Sequence, residues 1–391
     1  TQGRRMNQFI HGTFPVGLAA LLLVAGQGLA SAADEPQTAL RLPPGPGNPR
    51  NSEGDFIRLK DGRMMFVYTH FTDGTGDHSK AYLAARYSSD AGKTWTTDDK
   101  VALRNEGDLN IMSVSLLRLD DGSIALFYLR KNSLQDCRPL LRRSNDEGIT
   151  WSEPAEVINA PVGYYVMNND RVVQLKKSGR LIAPVALHNL PGYAKPDWAG
   201  IIMCYLSDDN GQSWRRSKTT MKTHDQAGKR VMTQEPGVVE LKDGRLMMFC
   251  RTDGGSQFVS FSRDGGDTWP PLRASKIISP RSPATIERIP STGDLLLAWN
   301  DHSGITPELR GYRTPFTVAI SRDDGKTWSV PKTLQDDPYG WYCYTAMTFI
   351  DDQVLLGHSA GDRRRGHLDT VQITAFPVKW LYETTSRDNA D

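Results

Sequence analysis

Glu235 and Tyr344 carry side chains that could act together chemically. A carboxylate can accept a proton, and a phenol, whose pKa lies near 10, becomes a useful nucleophile only when a nearby base takes that proton. Two other acidic residues, Glu53 and Asp55, could instead join Glu235 in acid–base chemistry between carboxyl groups. Either chemistry requires a fold that brings together residues lying far apart in the sequence.

Two short patterns recur along the chain and predict the elements that position these residues. The pattern Ser-x-Asp-x-Gly-x-Ser/Thr-Trp occurs five times, beginning at Ser88, Ser144, Ser207, Ser262 and Ser321. Two apolar runs around a short polar turn occur six times, beginning at Phe56, Leu116, Val172, Val238, Ile286 and Thr348. Asp-Gly between β-rich runs favours a tight hairpin, because glycine accepts a positive φ. In the first pattern we expect Asp to accept backbone N–H groups, Gly to turn the chain and Trp to pack beneath the turn.

These repeats predict an all-β protein, a six-bladed β-propeller with four-stranded antiparallel blades. Two hairpins give four strands, and six units of about 60 residues account for most of the chain. No amphipathic helical pattern competes with this interpretation. We expect residues 1–32 to be a signal peptide, 33–49 a lead-in linker and 50–391 the propeller. The last unit lacks the Ser-Asp-Gly-Trp pattern, so its late strands should come from VQITAFPVKWLYE, with a chain terminus closing the ring.

Aligning the six hairpins selects one residue at the start of the innermost strand of each unit. These residues are Glu53, Ser113, Asn169, Glu235, Pro283 and Tyr344. Equivalent positions of a propeller meet around its axis, so Glu235 and Tyr344 should share one rim. Their polarity fits the mouth of a channel, although residues that merely line a wet channel would give the same pattern. Asp170 and Arg171 lie at the opening of the third unit and are candidates for contact with substrate.

The five boxes resemble the Asp-box, or BNR, repeats of the sialidase superfamily, and the resemblance covers nearly the whole chain after residue 32. Such boxes also occur in propellers without catalytic activity, so two further segments carry the functional resemblance. Residues 234–246, followed by Cys250 and Arg251, are similar to a sialidase segment of Glu-Pro, hairpin and Arg. Residues 344–348, Tyr-Thr-Ala-Met-Thr, are similar to the sialidase nucleophile segment. Both segments contain a rim position that the repeat alignment selects independently.

The resemblance implies a retaining exo-glycoside hydrolase that releases terminal sialic acid, with Tyr344 as nucleophile and Glu235 as its base. Sialic acid carries a carboxylate on its anomeric carbon, and a neutral phenol approaches that charge without the repulsion a second carboxylate would meet. The resemblance also implies arginines around the substrate carboxylate, because a planar guanidinium can bond both oxygens. Arg251 matches one of them, and Arg313 matches another better than Arg310 does.

Two features near the first blade depart from the family pattern. Ser52 stands where the first carboxylate-binding arginine is expected, and Arg50 is the candidate substitute. Glu53, which should lie against the substrate, and Asp55 add negative charge where an anion should bind. A sugar related to sialic acid is therefore an open alternative substrate.

The general acid is expected in the loop THFTDGTGDHSK. Asp77 lies nearest the expected position, and Asp73, His70 and His78 are the alternatives. A solvated turn rich in Gly and Asp is the competing interpretation. The run of three arginines at residues 363–365 is expected to be a solvated face.

Two other classes of function remain open. A binding propeller without catalysis would use the same rim but lack a Tyr344–Glu235 contact. A hydrolase or lyase acting on another polysaccharide would bring Glu53, Asp55 and Glu235 face to face with no arginines between them. A sialidase should show the Tyr344 hydroxyl within hydrogen-bond reach of Glu235, with at least two guanidinium groups nearby.

Composition limits the partners and the cellular location. The chain has 47 Lys+Arg against 45 Asp+Glu, a balance that disfavours nucleic-acid binding, so the expected partner is the terminal sugar of a glycan or glycoconjugate. A basic start, an apolar run at 14–30 and Ala30-Ser31-Ala32 predict a signal peptide cleaved near Ala32. The protein should then be periplasmic or secreted and have no membrane span, a retained membrane helix being the alternative.

The cysteines and histidines give no sign of a metal centre or a disulfide framework. Neither has the spacing of a structural zinc site, and we expect no metal and no cofactor. The four cysteines lie far apart and are expected to be packing residues: Cys137, Cys204, Cys250 and Cys343. The oligomeric state is left open by the sequence.

Overall fold

The computed structural model describes residues 35–383, which form β-strands and two short 3-10 helices. The prediction of an all-β protein is confirmed. The predicted signal peptide, residues 1–32, lies outside the described residues. Neither helix in the described range has the length and hydrophobicity that a bilayer span requires.

Twenty-five strands follow one another along this part of the chain. The first twelve are β1 (Gln37–Leu42), β2 (Arg50–Arg58), β3 (Met64–Phe71), β4 (Ala81–Ser88), β5 (Lys100–Leu103), β6 (Asn110–Arg118), β7 (Ile124–Ser133), β8 (Asp136–Ser144), β9 (Ala155–Glu156), β10 (Tyr164–Val166), β11 (Val173–Gln174) and β12 (Leu181–Asn189). The others are β13 (Ile201–Ser207), β14 (Arg215–Arg216), β15 (Thr233–Glu240), β16 (Leu246–Thr252), β17 (Ser256–Ser262), β18 (Arg273–Ile278), β19 (Thr285–Arg288), β20 (Leu295–Trp299), β21 (Phe316–Ser321), β22 (Lys332–Gln335), β23 (Gly340–Ile350), β24 (Gln353–Asp362) and β25 (Val371–Pro377). The 3-10 helices are Pro307–Leu309 and Val378–Tyr382.

The strands form five sheets. Four sheets have four strands each: β2 to β5, β15 to β18, β19 to β22, and β23 to β25 together with β1. The fifth sheet has nine strands, because the short strand β10 pairs with both β8 and β12 and so joins the units β6 to β9 and β11 to β14. The hairpin order follows the repeats, whereas six separate four-stranded blades remain a prediction.

The last sheet is completed from the N-terminal side. The predicted lead-in segment 33–49 contains β1, which pairs antiparallel with β25. This sheet therefore includes residues that precede the expected start of the propeller at residue 50. Of the segment VQITAFPVKWLYE, only the first part is a strand, and the chain then winds into the second 3-10 helix.

In all five Asp-boxes the Asp carboxylate accepts the backbone N–H four residues later, whereas the Trp Nε1–H donates to the Gly carbonyl oxygen in the first and fourth boxes. In the first box, Asp90 Oδ1 accepts the Thr94 N–H at 2.9 Å, and Trp95 Nε1 donates to the Gly92 carbonyl oxygen at 3.0 Å. Gly92 has a φ of +86°, in the left-handed region that disfavours a Cβ. The predicted roles of Asp and Gly in this turn are confirmed.

Four inner strands share one irregularity, located at the residue that the repeat alignment selects. β2, β6, β15 and β23 each shift register against the next strand there. The residues in left-handed conformation at these shifts are Glu53, Ser113, Glu235 and Tyr344. A β-bulge turns its side chain away from the alternation of the strand. The repeated bulge therefore directs equivalent residues of different units toward one place.

Several of these inner strands lie next to one another. β2 contacts β6 and β23, and β19 contacts β15 and β23. In the third unit the left-handed residue is Asp170, one position after the expected Asn169. Asn169 instead links other units, because its Nδ2 donates to the carbonyl oxygens of Gly54 at 2.8 Å and Tyr344 at 3.1 Å. The fifth selected residue, Pro283, precedes β19, and its ring excludes the positive φ found at the equivalent residues of four other units.

Candidate active site

Tyr344 and Glu235 meet at the start of the inner strands. The Tyr344 hydroxyl donates to Glu235 Oε1 at an oxygen–oxygen distance of 3.4 Å. This is long for an O–H···O hydrogen bond. Both side chains are buried. A small movement is enough to bring the phenol proton onto the carboxylate.

Tyr344 is held in its neutral form. Burial raises the pKa of Tyr344, and the negative charge of Glu235 raises it further. Arg313 and Arg251 act in the opposite direction without reversing the shift. The phenol is therefore protonated at neutral pH and needs a base before it can attack. Glu235 lies where that base must lie.

Arg251 reaches the same carboxylate from β16. Its Nη1 donates to Glu235 Oε1 at 2.6 Å. Burial lowers the pKa of Arg251, but Glu235 more than compensates, so the pKa is raised and the guanidinium stays charged. Within residues 35–383, Glu235 Oε2 and Arg251 Nε have no hydrogen-bond partner. This buried ion pair therefore keeps hydrogen-bonding capacity that a ligand can use.

Arg313 lies between the aromatic rings of Tyr344 and Trp341. Its guanidinium carbon is 5.2 Å from the ring centroid of Tyr344 and 5.2 Å from that of Trp341. Its Nη1 donates to Cys343 Sγ at 2.9 Å. Burial lowers the pKa of Arg313, but Cys343, Tyr344 and Glu235 together raise it, so this buried arginine remains a cation.

Arg50 is also buried at this rim, next to the serine that replaces the expected arginine. Its Nη2 donates to Ser52 Oγ at 3.2 Å, and its Nη1 donates to Asp77 Oδ1 at 2.6 Å. The guanidinium lies 4.5 Å from the ring centroid of Phe71. Nη2 is 4.0 Å from Glu53 Oε1. Arg50 thus occupies the first-blade side of the site but already has a carboxylate partner.

Glu53 is an acidic residue at a position where the sequence predicts an anionic substrate. Burial raises its pKa to about 7, despite a hydrogen bond from the Ser113 hydroxyl and the charge of Arg50. Asp77 and Glu235 add to the rise. Glu53 is therefore neutral below about pH 7, and the repulsion of an anion expected from the sequence is weakened at acidic pH.

Asp77 is the one candidate acid that the structure brings beside Arg50. Burial acts to raise its pKa, but the charges of Arg50 and Lys131 outweigh that effect and lower it. The alternatives have other partners. Asp73 Oδ1 accepts the Lys80 N–H at 2.7 Å, and His70 Nδ1 lies 3.0 Å from Asp99 Oδ2.

Asp170 and Asp55 do not join this group. Asp170 Oδ2 accepts the Met347 N–H at 2.9 Å, and both acids line a cavity of about 560 Å³ at the other end of the inner strands. Arg171 is fully buried and its Nη2 donates to the Ala284 carbonyl oxygen at 2.8 Å. These residues link repeat units, whereas Glu53 stays near Glu235.

Several residues near the site carry no signal in the repeats. Trp341 and Cys343 contact Arg313 as described above. Four aromatic rings, which we call the wall, also lie next to one another. The centroid distances are 6.4 Å from His78 to Tyr164, 5.9 Å from Tyr164 to Trp198 and 5.4 Å from Trp198 to His188. Gln234 Nε2 donates to the Trp198 carbonyl oxygen at 2.9 Å, so the wall ends next to Glu235. All four cysteines are buried and free, as expected of packing residues.

The geometry separates the open hypotheses. A binding propeller was expected to lack the Tyr344–Glu235 contact, which is present. A polysaccharide hydrolase was expected to have facing carboxylates without arginines, yet Arg251 pairs with Glu235 and Arg50 lies near Glu53. Among the described residues, no group of three or more His, Cys, Asp or Glu side chains could hold a metal ion.

Comparisons with known proteins relate the chain to BNR-repeat proteins and sialidases. The sequence profile of the BNR repeat-like domain matches residues 100–356. A sialidase of Bacteroides fragilis (strain YCH46) is 29% identical over 227 residues, which are 55% of this chain and 38% of the relative. A sialidase of Micromonospora viridifaciens is 26% identical over 335 residues, 77% of this chain and 47% of the relative. The chain thus spans less than half the length of these two curated relatives.

A solved structure shows the same fold. The NanB sialidase from Streptococcus pneumoniae superposes with a TM-score of 0.67 at 16% identity, covering 88% of this chain and 71% of that one. At this identity the likeness concerns the fold alone.

Proposed function

The chain belongs to the BNR repeat-like domain family, and we propose that it is a retaining exo-sialidase. It releases terminal sialic acid, or a related acidic sugar, from glycoconjugates. The observation that carries the proposal is the contact between the Tyr344 hydroxyl and Glu235, with Arg251 and Arg313 beside it. The sialidases among its relatives support the same substrate class.

Tyr344 and Glu235 form the nucleophilic pair. The Tyr344 oxygen attacks the anomeric carbon while Glu235 takes the phenol proton, so no charged nucleophile has to approach the substrate carboxylate. A tyrosyl–sugar bond forms as the bond to the leaving group breaks. Water then attacks the same carbon and gives a proton to the Asp77 carboxylate, while the tyrosyl–sugar bond breaks and Glu235 returns its proton to Tyr344. The configuration is retained after two displacements.

Arg251, Arg313 and Arg50 bind the substrate carboxylate. Their buried guanidinium groups lose little side-chain freedom on binding, and each offers parallel N–H donors. Arg251 Nε has no partner among the described residues and is available to the ligand. Glu53 lies against the substrate between Arg50 and Glu235. Asp77 donates the proton that the leaving-group oxygen requires.

The proposal includes the architecture and the location. Six copies of the hairpin pattern support six blades around one axis, with the second and third joined through β10. The basic and apolar residues of 1–32 support export by a signal peptide. Sequencing the N-terminus of the protein secreted by its host tests the cleavage near Ala32.

Hydrolysis of a fluorogenic sialoside by wild type and by Tyr344→Phe tests the activity. Removing one oxygen should lower kcat by at least about 10³-fold, because the nucleophile is lost while the ring remains. Tyr342→Phe is the matched control, since this tyrosine lies two residues earlier and its ring contacts Phe316, 6.1 Å away. A wild type that binds sialic acid without hydrolysing the substrate would favour the binding propeller. A fully active Tyr344→Phe would exclude the nucleophile role.

A further inference from the structure

The loop that carries Asp77 needs support from outside itself. Residues 72–80 connect β3 to β4 without regular structure, and the Asp77 side chain is 57% exposed. Within the loop, the Ser79 N–H donates to the Gly76 carbonyl oxygen at 3.0 Å. A proton donor must be held closely, because a misplacement of about 1 Å can lower a rate roughly 10²-fold. Loops hold such groups less firmly than strands do.

Two side chains of the second repeat unit hold this loop. Lys131 Nζ donates to the Asp77 carbonyl oxygen at 2.8 Å, and Asn110 Nδ2 donates to the same oxygen at 3.0 Å. Asn110 Nδ2 also donates to the Ser79 carbonyl oxygen at 2.7 Å. Asn110 and Lys131 are directly paired in the β6–β7 ladder, so they present a fixed pair of donors.

We propose that Lys131, with Asn110, is a positioning residue that seats Asp77 for proton donation to the leaving group. This inference rests on the proposed function and adds the second unit to the site. Asp77 gives its proton to the glycosidic oxygen as the bond from that oxygen to the anomeric carbon breaks. The bond from Tyr344 to that carbon forms in the same step.

The surroundings of Lys131 favour this role over simple packing. The residue is buried, which is costly for a cation that lacks a counter-ion. Among the described residues, no carboxylate oxygen lies within ion-pair distance of Lys131 Nζ. Its remaining neighbours are Met112 Sδ at 3.4 Å and the ring of Tyr164, with its centroid at 5.6 Å. The hydrogen bond to the Asp77 carbonyl oxygen therefore accounts for the buried ammonium group of Lys131.

The charge of Lys131 also acts on the group that it seats. Together with Arg50 it lowers the pKa of Asp77. Glu53, His78 and Tyr164 also lie close to this pair, and Cys137 lies close to Lys131. Asp77 therefore loses its proton at lower pH than an ordinary aspartate, and activity that depends on this proton declines on the acidic side of neutrality.

Lys131→Met tests the inference, because it keeps the length of the side chain and removes both donor and charge. We expect kcat on sialyllactose, whose leaving group needs a proton, to fall about 10–100-fold. On a 4-methylumbelliferyl sialoside, whose leaving group departs with little help, kcat should change much less. The alkaline limb of the pH profile should move to higher pH, since Asp77 then keeps its proton longer.

Controls make each outcome decisive. Lys80→Met removes a lysine of the same loop whose Nζ donates to the Asp108 carbonyl oxygen, and it should leave both substrates and the pH profile unchanged. Lys131→Arg keeps the charge and should have the pH profile of wild type. Lys131→Gln keeps a donor but no charge, so its kcat should be closer to wild type than that of Lys131→Met, while its pH profile should stay shifted. These two variants carry the test if Lys131→Met does not fold.

The two proposals fail in different ways. If wild type and Lys80→Met hydrolyse both substrates and Lys131→Met matches them in kcat and pH profile, only the role of Lys131 is overturned. The same conclusion follows if Lys131→Met lowers kcat equally on both substrates. If wild type hydrolyses neither substrate, the proposed function fails and this inference with it.

Discussion

Buried carboxylates occupy both ends of the inner strands, but their partners differ. At the start of the strands, Glu235 pairs with Arg251 and keeps one oxygen without a partner among the described residues. At the far end, Asp55 accepts the Leu116 N–H at 2.7 Å and the Phe56 N–H at 2.6 Å. A carboxylate saturated by backbone donors joins repeat units, whereas one with a free oxygen can act on a ligand. Burial alone therefore does not mark the functional acids of this protein.

Glu235→Gln should have the largest effect on activity. The amide can still accept from Arg251 but cannot take a proton, so we expect kcat on a fluorogenic sialoside to fall about 10²–10⁴-fold. The Tm should fall, because the substitution leaves the buried Arg251 guanidinium without its counter-ion. Glu240→Gln is the control, because this glutamate ends the same strand and its carboxylate accepts the Lys176 N–H at 3.0 Å. Equal activities of the two variants would contradict the division of roles.

Asp55→Ala should lower the stability of the fold but leave kcat nearly unchanged. Two buried backbone N–H groups lose their acceptors, and each costs about 1–3 kcal/mol, so urea denaturation should show a clear loss of stability. The kcat of the folded fraction should stay within about twofold of wild type. Asp55→Asn, which keeps one acceptor oxygen, should lie between. A folded Asp55→Ala that has lost its kcat would place this acid in the catalytic group.

The contrast between the two ends also explains what the sequence could predict. The hairpin offset selected Glu53, Ser113, Glu235 and Tyr344, because a bulge at a fixed distance from a turn is a local property that every repeat encodes. In the third unit the left-handed residue lies one position later than the offset predicts, since β11 has only two residues and fixes the register weakly.

Other features could not be found locally. β10 is three residues long and shows no alternation, so the joining of two units in one sheet has no sequence signal. The role of Lys131 depends on a loop of the neighbouring unit, and the protonation of Glu53 depends on burial by surrounding strands. Contacts between units set these properties, and a single repeat does not contain them.

Glu53→Gln changes an acid that is buried near Glu235 but keeps its proton below about pH 7. As pH rises through about 7, Glu53 becomes an anion and should repel the substrate carboxylate, so kcat/KM of wild type should fall. The Gln side chain of the variant cannot ionise. The ratio of kcat/KM of the variant to kcat/KM of wild type should therefore be about five to ten times higher at pH 8 than at pH 5. Glu308→Gln, an exposed glutamate, should follow the wild-type profile. A profile of Glu53→Gln that matches wild type would show that Glu53 does not titrate near the substrate.

Asp170→Asn tests the far end with the smallest expected effect. Burial raises the pKa of Asp170 to about 6, against the opposing effects of the Met347 N–H and Arg171. The folded state thus holds this proton at a pH where the unfolded chain, with its ordinary lower pKa, has lost it. The resulting stability is full below about pH 4 and disappears as pH rises through about 6. Asn keeps an acceptor for Met347 and does not titrate.

The difference in Tm between Asp170→Asn and wild type should therefore shift in favour of the variant by about 1–3 °C between pH 4.5 and pH 7. Asp243→Asn should show a nearly flat Tm difference over the same range. Hydrogen bonds from Arg245 lower the pKa of Asp243, and the stability linked to that shift is lost only below about pH 4. If the Asp170 difference is flat with pH, the far-end acids are not held protonated by burial. The contrast between the two ends would then rest on hydrogen-bond partners alone, since charge would no longer distinguish them.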